Sequence, residues 1–368
     1  ASDGREALDL FFSDKNIDLV ILDVMMPNID GWTVCKEIRK ESKVPIIMLT
    51  ARTEESDELL NTNTLGNNKY IYKNYEINYI VKDTTKPLIK GSSTITVIKG
   101  TSTNLVNKML CGDNYDSKPN CTIEGEYDLN KVGKYKLTYV ATDSSNNKNS
   151  KNFTLNVINK KNESSSTSKK QISINDYIKK YKNDETLIGI DVSAWQSNIN
   201  YSKVKKYVDF AIIRIGYGPS DGKLKKDSQF DKHLKGFTNA NIPTGVYFYS
   251  YAKNEKDIIE EANWIVKQLN GKELEMPIAL DWENWSSYNK YHLSFKELTD
   301  LYIKFKEILN ENGYETMLYS SAYYVNNIWN YKYIDNTWVA YYTTNNDFSK
   351  PYMMWQATSR GKVDGISG

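Results

Sequence analysis

Apolar and polar positions follow three different rhythms along this chain. Over residues 1–60, short fully apolar runs alternate with amphipathic stripes. Residues 5–12 predict a short helix, and 18–24 (DLVILDV) a buried strand ending in Asp23. Residues 32–40 predict a second helix and 44–49 a second buried strand. Strands apolar on both faces, separated by helices, predict part of a doubly wound parallel α/β sheet. Between 83 and 158 the rhythm shortens to strand-like runs at 95–98, 135–141 and 153–157, broken by Gly, Asn, Asp and Ser turns. That spacing predicts a small β-sandwich. From 187 to 368 strands and helices alternate again, and the pattern is longest here. Runs at 187–192, 210–215, 244–252 and 276–280 read as strands. Helices are predicted over 232–241 and over 256–269, where Ile258, Ile259, Ala262, Ile265, Val266 and Leu269 form one stripe. Ser294 and Glu297 have the spacing of a capping box for a further helix. Runs at 316–319, 337–341 and 352–356 follow with little room for helices between them, so the prediction is an irregular β/α barrel.

The remaining stretches join these blocks. Residues 65–72 (LGNNKYIY) align without a gap on 132–139 (VGKYKLTY), which reads 61–86 as the tail of a repeat of the sandwich unit. Residues 159–171 (NKKNESSSTSKKQ) lack apolar periodicity and read as a linker. All 28 tyrosines lie after residue 60, whereas Arg5, Arg39 and Arg52, three of the five arginines, lie before it. The change of character places a boundary near Leu60 and suggests a joined gene rather than a working fusion.

Charge and composition remove several functions. A net charge of +2 with interspersed lysines and acids gives no footprint for nucleic acid. No run of eighteen apolar residues exists to span a membrane. Two histidines and three scattered cysteines exclude a His-based triad and a Cys/His zinc site, and no cofactor or metal is expected. Cys111 and Cys121, ten residues apart, are either a loop disulfide or two thiols, depending on compartment.

Candidate chemistry collects at the predicted ends of the barrel strands, where such folds place reacting groups. In order these ends carry Asp191, Arg214 with Tyr217, Tyr247 with Tyr249, Asp281 with Glu283, Tyr319, Trp338 with Tyr341, and Gln356. Asp281 and Glu283 stand two apart at the tip of an apolar strand, so their side chains share a face. Acid pairs of this kind hold one carboxyl protonated and one ionised for acetal cleavage, and aromatic rings stack on sugar faces.

Three resemblances sharpen this reading. DLVILDVMMPNIDGW followed by VPIIMLTAR resembles the response-regulator receiver domain. That resemblance implies Asp23 as phospho-acceptor and Thr50 as switch hydroxyl. The acid pair of the family's first strand and the lysine of its last are missing, so Asp23 is expected to be vestigial. DTTKPLI and VGKYKLTYVATD resemble bacterial immunoglobulin-like surface modules, implying a spacer or wall-binding element. GIDVSAWQ, AIIRIGYG, GVYFYSYA, IALDWEN, MLYSS, WVAYY and WQATSRGKVDGISG follow the order found in family 25 glycoside hydrolases, over residues 187–368. That resemblance implies a muramidase acting on peptidoglycan glycan strands, with Glu283 as general acid. Asp281 would steady the 2-acetamido group or the developing positive charge, and Asp191 would support the site. Arg214, Tyr217, Tyr247, Tyr249, Tyr319, Trp338, Tyr341 and Gln356 would line the glycan. It also implies a further strand, with an Asp and an Asn, beyond Gly368. The enzyme would work as a monomer outside the cell or in its wall, whereas a receiver works in the cytoplasm. Two other readings stand beside it, a response-regulator-derived fusion and a wall-binding barrel without catalysis. Whether cleavage retains or inverts configuration stays open.

Overall fold

The computed structural model describes residues 1–14, 16–49, 83–159, 171–218, 223–343 and 345–367. Thr50, residues 61–82 of the expected repeat and 160–170 of the expected linker lie outside the described residues. Two compact units divide the chain, Ala1–Tyr79 and Ile80–Gly368.

In the first unit, α1 (Gly4–Ser13), β1 (Val20–Asp23), α2 (Gly31–Glu41) and β2 (Ile46–Leu49) follow the predicted alternation. Asp3 and Asp30 cap the two helices by accepting from the Glu6 and Thr33 N–H groups, which the first helical turn leaves without partners. The strands pair in parallel, Val20 with Ile46 through Asp23 with Leu49. Leu8, Leu22, Val34 and Ile38 are buried together on one side of this ribbon. On the other side Ile21 is 58% exposed and Ile47 40%. Among the described residues, one face is thus covered and the other is not.

The second unit begins with the sandwich. β3 (Leu88–Lys90) pairs with β5 (Leu110–Gly112), opposite a four-stranded sheet. That sheet has the order β4 (Thr94–Ile98), β8 (Lys148–Ile158), β7 (Gly133–Thr142), β6 (Asn120–Glu124). Strands β3 and β5 do not stand out in the pattern because they are three residues long, and β6 because it is half-buried to exposed along its length. Ile89, Leu105, Tyr139, Phe153 and Leu155 fill the space between the sheets. Cys111 on β5 and Cys121 on β6 form a disulfide, which settles the alternative left open above.

After α3 (Ile174–Tyr181) comes the curled sheet of the C-terminal region. Its parallel strands are β9 (Gly189–Val192), β10 (Phe210–Tyr217), β11 (Thr244–Ser250), β12 (Ile278–Trp282), β13 (Thr316–Ser321), β14 (Thr337–Ala340) and β15 (Met354–Gln356). They lie side by side in chain order. Helices α4 (Phe230–Asn239), α5 (Glu255–Leu269) and α6 (Phe295–Glu311) cover the convex face, and α7 (Ala322–Asn327) sits between β13 and β14, where little helix was expected. The Ser294–Glu297 capping box is present. Side chains alternate across each strand. Ala211, Ile213 and Ile215 therefore meet the helices, while Ile212, Ala279, Met317 and Met354 line the concave face. Burying all five residues of β12 requires both layers.

Candidate active site

The concave face is apolar at its base and polar at the C-terminal ends of its strands. Register puts Tyr249 beside Asp281, Asp281 beside Tyr319 and Tyr319 beside Trp338, a row across four strands. Trp338 meets Tyr319 edge-on at 4.6 Å and Tyr247 at 6.2 Å, forming one wall. At the two edges of the sheet Gln356 reaches from β15 to β9, where its Nε2 donates to Asp191 Oδ2 at 3.0 Å. Its Oε1 accepts from the hydroxyls of Tyr319 and Tyr342, each at 2.8 Å. A side-chain bridge thus spans the first and last parallel strands.

Three carboxyls share this mouth. Asp281 is buried, and its Oδ1 has no hydrogen-bond partner among the described residues. Burial pushes its carboxyl well above the ordinary range, the charges of Glu283 and Asp191 add to the push, and Arg214 opposes it. Glu283 follows the strand end and opens to the mouth, yet the surrounding walls displace enough water to raise its carboxyl too. Asp191 is in the same position, accessible from the mouth and raised by burial, with the Gln356 donor pulling the other way. Neighbouring carboxyls that all resist ionisation retain protons at higher pH than free acids do. Asp281, expected to stay ionised, is pushed further than an open carboxylate would be because it lies deepest.

Arg214 is held rather than free. Its Nε donates to Asp227 Oδ2 at 2.7 Å, and that oxygen also accepts from Ala194 N–H at 3.0 Å. Asp227 therefore anchors both the cation and the loop after β9, and with Tyr217 under the guanidinium at 5.4 Å the side chain has one orientation. Of the expected site residues, Asp191, Arg214, Tyr247, Tyr249, Asp281, Glu283, Tyr319, Trp338 and Gln356 gather at the mouth, with Tyr217 beside Arg214. Tyr341 points elsewhere: Asp347 is what pushes its hydroxyl up, and the strand's alternation sends it to the other face. Its neighbour Tyr342 occupies the site instead, through Gln356 and the charges of Asp191 and Glu283. Trp195, within the GIDVSAWQ motif, is 78% exposed in the loop after Asp191. Asp23 in the first unit is exposed and accepts from Met25 N–H at 3.0 Å.

Behind the site lies a buried chain of polar groups. Glu261 on α5 accepts from Ser250 Oγ at 2.5 Å and from Tyr251 N–H at 3.2 Å. The Ser250 carbonyl accepts from Asn284 Nδ2 at 2.8 Å, next to Glu283. Burial raises Glu261 to about 7. Away from the site, Asp83, Asp113 and Asp143 in the sandwich offer carboxylate oxygens within 4.8 Å of one another, close enough to share a cation.

Comparison with known proteins assigns the three blocks. Residues 1–85 match the response regulator receiver domain, 87–157 the bacterial surface protein Ig-like domain, and 190–366 the glycosyl hydrolases family 25. The chain is similar to the "probable transcriptional regulator ycf27" of Guillardia theta, 53% identical over 73 residues, which is 20% of this chain and 28% of that relative. It is similar also to the Cyanophora paradoxa protein of that name, 41% identical over 101 residues, 26% and 41% of the two chains. The chain thus spans well under half the length of either of these curated relatives. Among solved structures it is similar to the modular autolysin LytC of Streptococcus pneumoniae in complex with a synthetic peptidoglycan ligand. There the TM-score is 0.45 and identity 25%, over 63% of this chain and 55% of that one. A bacterial lysozyme of Streptomyces coelicolor gives a TM-score of 0.42 and 23% identity, over 50% and 90% of the two chains.

Proposed function

We propose that this chain, which carries a glycosyl hydrolases family 25 domain over residues 190–366, is a peptidoglycan hydrolase. Its bond would be the β-1,4 link between N-acetylmuramic acid and N-acetylglucosamine. The observation that carries the reading is the gathering of Asp191, Asp281 and Glu283 at one mouth with all three carboxyls raised by burial.

Acetal cleavage needs a proton on the leaving oxygen and negative charge near the anomeric carbon. Glu283 faces the mouth and is the carboxyl a glycosidic oxygen reaches first, so it acts as the general acid. Its raised pKa keeps it protonated at pH values where a free glutamate has ionised. Asp281 lies below it with an unpartnered Oδ1, placed to accept from a 2-acetamido N–H or to stabilise the positive charge that develops. Because the two acids are coupled, loss of a proton from one strengthens the hold of the other, so the pair carries one proton and one charge across a span of pH. The positive charge that develops beside Asp281 favours its ionised form and leaves that proton to Glu283. Asp191, oriented by Gln356, adds to the negative field. Arg214 limits the excess charge, and the Tyr247–Trp338–Tyr319 wall offers faces for sugar rings. The substrate places this work outside the membrane, where the Cys111–Cys121 disulfide persists.

The test is digestion of purified peptidoglycan by the full chain and by Glu283→Gln, with mass analysis of released glycans. Fragments ending in reducing N-acetylmuramic acid from the parent, and none from the variant, are expected. Fragments ending in reducing N-acetylglucosamine would move the cleaved bond, and silence from the parent with retained wall binding would replace hydrolysis by recognition.

A further inference from the structure

The sandwich meets the barrel along the segment that follows Glu283. Asn289 lies in the short 3-10 helix Asn284–Lys290. Its Nδ2 donates to the Met109 carbonyl at 2.9 Å, and its Oδ1 accepts from Cys111 N–H at 2.9 Å. One side-chain amide thus takes the pair of main-chain groups that a neighbouring strand would take on the free edge of β5. Just beyond, Phe295 N–H donates to the Asp113 carbonyl at 2.7 Å and Lys296 N–H to the Asn114 carbonyl at 3.1 Å. The opening turn of α6 therefore finds two of its acceptors in the sandwich. The approach is close: a Cβ on Gly112 would stand 2.6 Å from Phe295 Cε1 and 2.7 Å from Tyr288 Cε1. Leu110 is buried in the same apolar cluster as the barrel's own residues. Lys90 of β3 places its Nζ 3.6 Å from the centre of the Tyr324 ring, and that ring stacks on Trp285 at 3.7 Å. Trp285, two residues past Glu283, also meets Trp282 edge-on at 4.8 Å.

Resting on the hydrolase reading above, we propose that the immunoglobulin-like module braces the active-site loop from behind. Asn289 is the positioning residue through which it fixes segment 284–290, and with it the carboxyl of Glu283. A spacer would share only chain with the enzyme it carries. Here three carbonyls, one N–H, one cation and one leucine of the module meet the segment after the acid and the residues packed against it. The groups facing Glu283 are Asp281 on its own strand, Tyr249 on β11, Tyr319 on β13, Tyr324 on α7 and Tyr342 after β14. None belongs to the module, so the module acts on the acid by holding the backbone and excluding water.

The experiment compares the full chain with Asn289→Ala, and with Gly112→Ala, which wedges the interface from the module's side. Two readouts are taken: kcat and KM on soluble glycan fragments, and titration of the Glu283 carboxyl by NMR without substrate. The expected result is a fall in kcat of about tenfold or more, KM changed by about twofold at most, and a Glu283 titration moved toward that of a free glutamate. A variant that keeps both the parent's kcat and its Glu283 titration would overturn the proposal. So would loss of sandwich structure, seen by near-UV circular dichroism, with both readouts unchanged. If the parent itself releases no glycan, the hydrolase reading fails, and the titration alone decides whether the module positions the carboxyl.

Discussion

Two strands of this molecule begin alike and end differently. β1 reads VILD and β12 reads IALDW; each is apolar, lies beside a parallel neighbour and presents an aspartate at its C-terminal end. In β1 only Leu22 is buried, Ile21 is 58% exposed and Asp23 is open. In β12 every residue is buried, Asp281 is 5% exposed, and its carboxyl is driven upward by burial and by two further acids. The difference does not lie in the strand. It lies in having strands on both flanks, helices behind and a concave face in front. An acid acquires unusual chemistry from what surrounds it, and β12 has surroundings that β1, within the described residues, lacks.

Substitutions can test that contrast. The largest effect is expected at the acids. Glu283→Gln should lower peptidoglycan hydrolysis by about a thousandfold, within the range for loss of a general acid. Asp281→Asn should lower it by about a hundredfold or more. Asp23→Asn should leave it as it is, and a release assay on the three proteins reads this directly. If Asp23→Asn mattered as much as Asp281→Asn, the two strand ends would not be the different environments described here.

Packing should follow the same order with smaller numbers. Leu280→Ala, deep in the barrel cluster, should cost about 2–5 kcal/mol in the barrel's unfolding transition. Ile21→Ala on the open face of β1 should cost less than about 0.5 kcal/mol. Denaturant titration with fluorescence and circular dichroism would sharpen the comparison if those costs separate, and break it if they coincide.

A subtler effect belongs to Glu261, whose carboxyl is raised to about 7 from an ordinary value of 4.5. A carboxyl raised on folding binds more protons in the folded state than in the unfolded. Its contribution is therefore intact below pH 4.5 and is lost as pH climbs from there through about 7. Glu261→Gln can keep contacts with Ser250 and Tyr251 without the charge, so it should raise stability by about 1–3 kcal/mol at pH 8 and by little at pH 4. A pH-independent change would show that the carboxyl's burial is not what matters there.

Much of the barrel was legible from single residues. The stripe from Ile258 to Leu269, the capping box at Ser294 and the acid-tipped run at 278–283 are local signals: periodicity, a cap and an alternation of faces. Tyr341 against Tyr342 shows where such signals stop, because one residue of register at a strand's end turns a side chain from the cleft to the outside. Asp227 shows it differently. It starts the turn before α4, and nothing local says that it holds Arg214, thirteen residues back and on another element.

The linear chain carries the order of elements, the three rhythms of apolar and polar positions, and the acids that reach the barrel mouth. Those depend on patterns within a few residues of one another. Tertiary structure alone decided that Gln356 bridges the first and last strands and that Tyr342 stands in the cleft. It also decided that Asp281 is the most deeply buried of the three acids at the mouth and that Asn289 grips the edge of β5 from 178 residues away. Each of these is a matter of distance and dielectric between residues remote in the chain, and such quantities come into being only when the folded backbone brings those residues together and excludes water from between them.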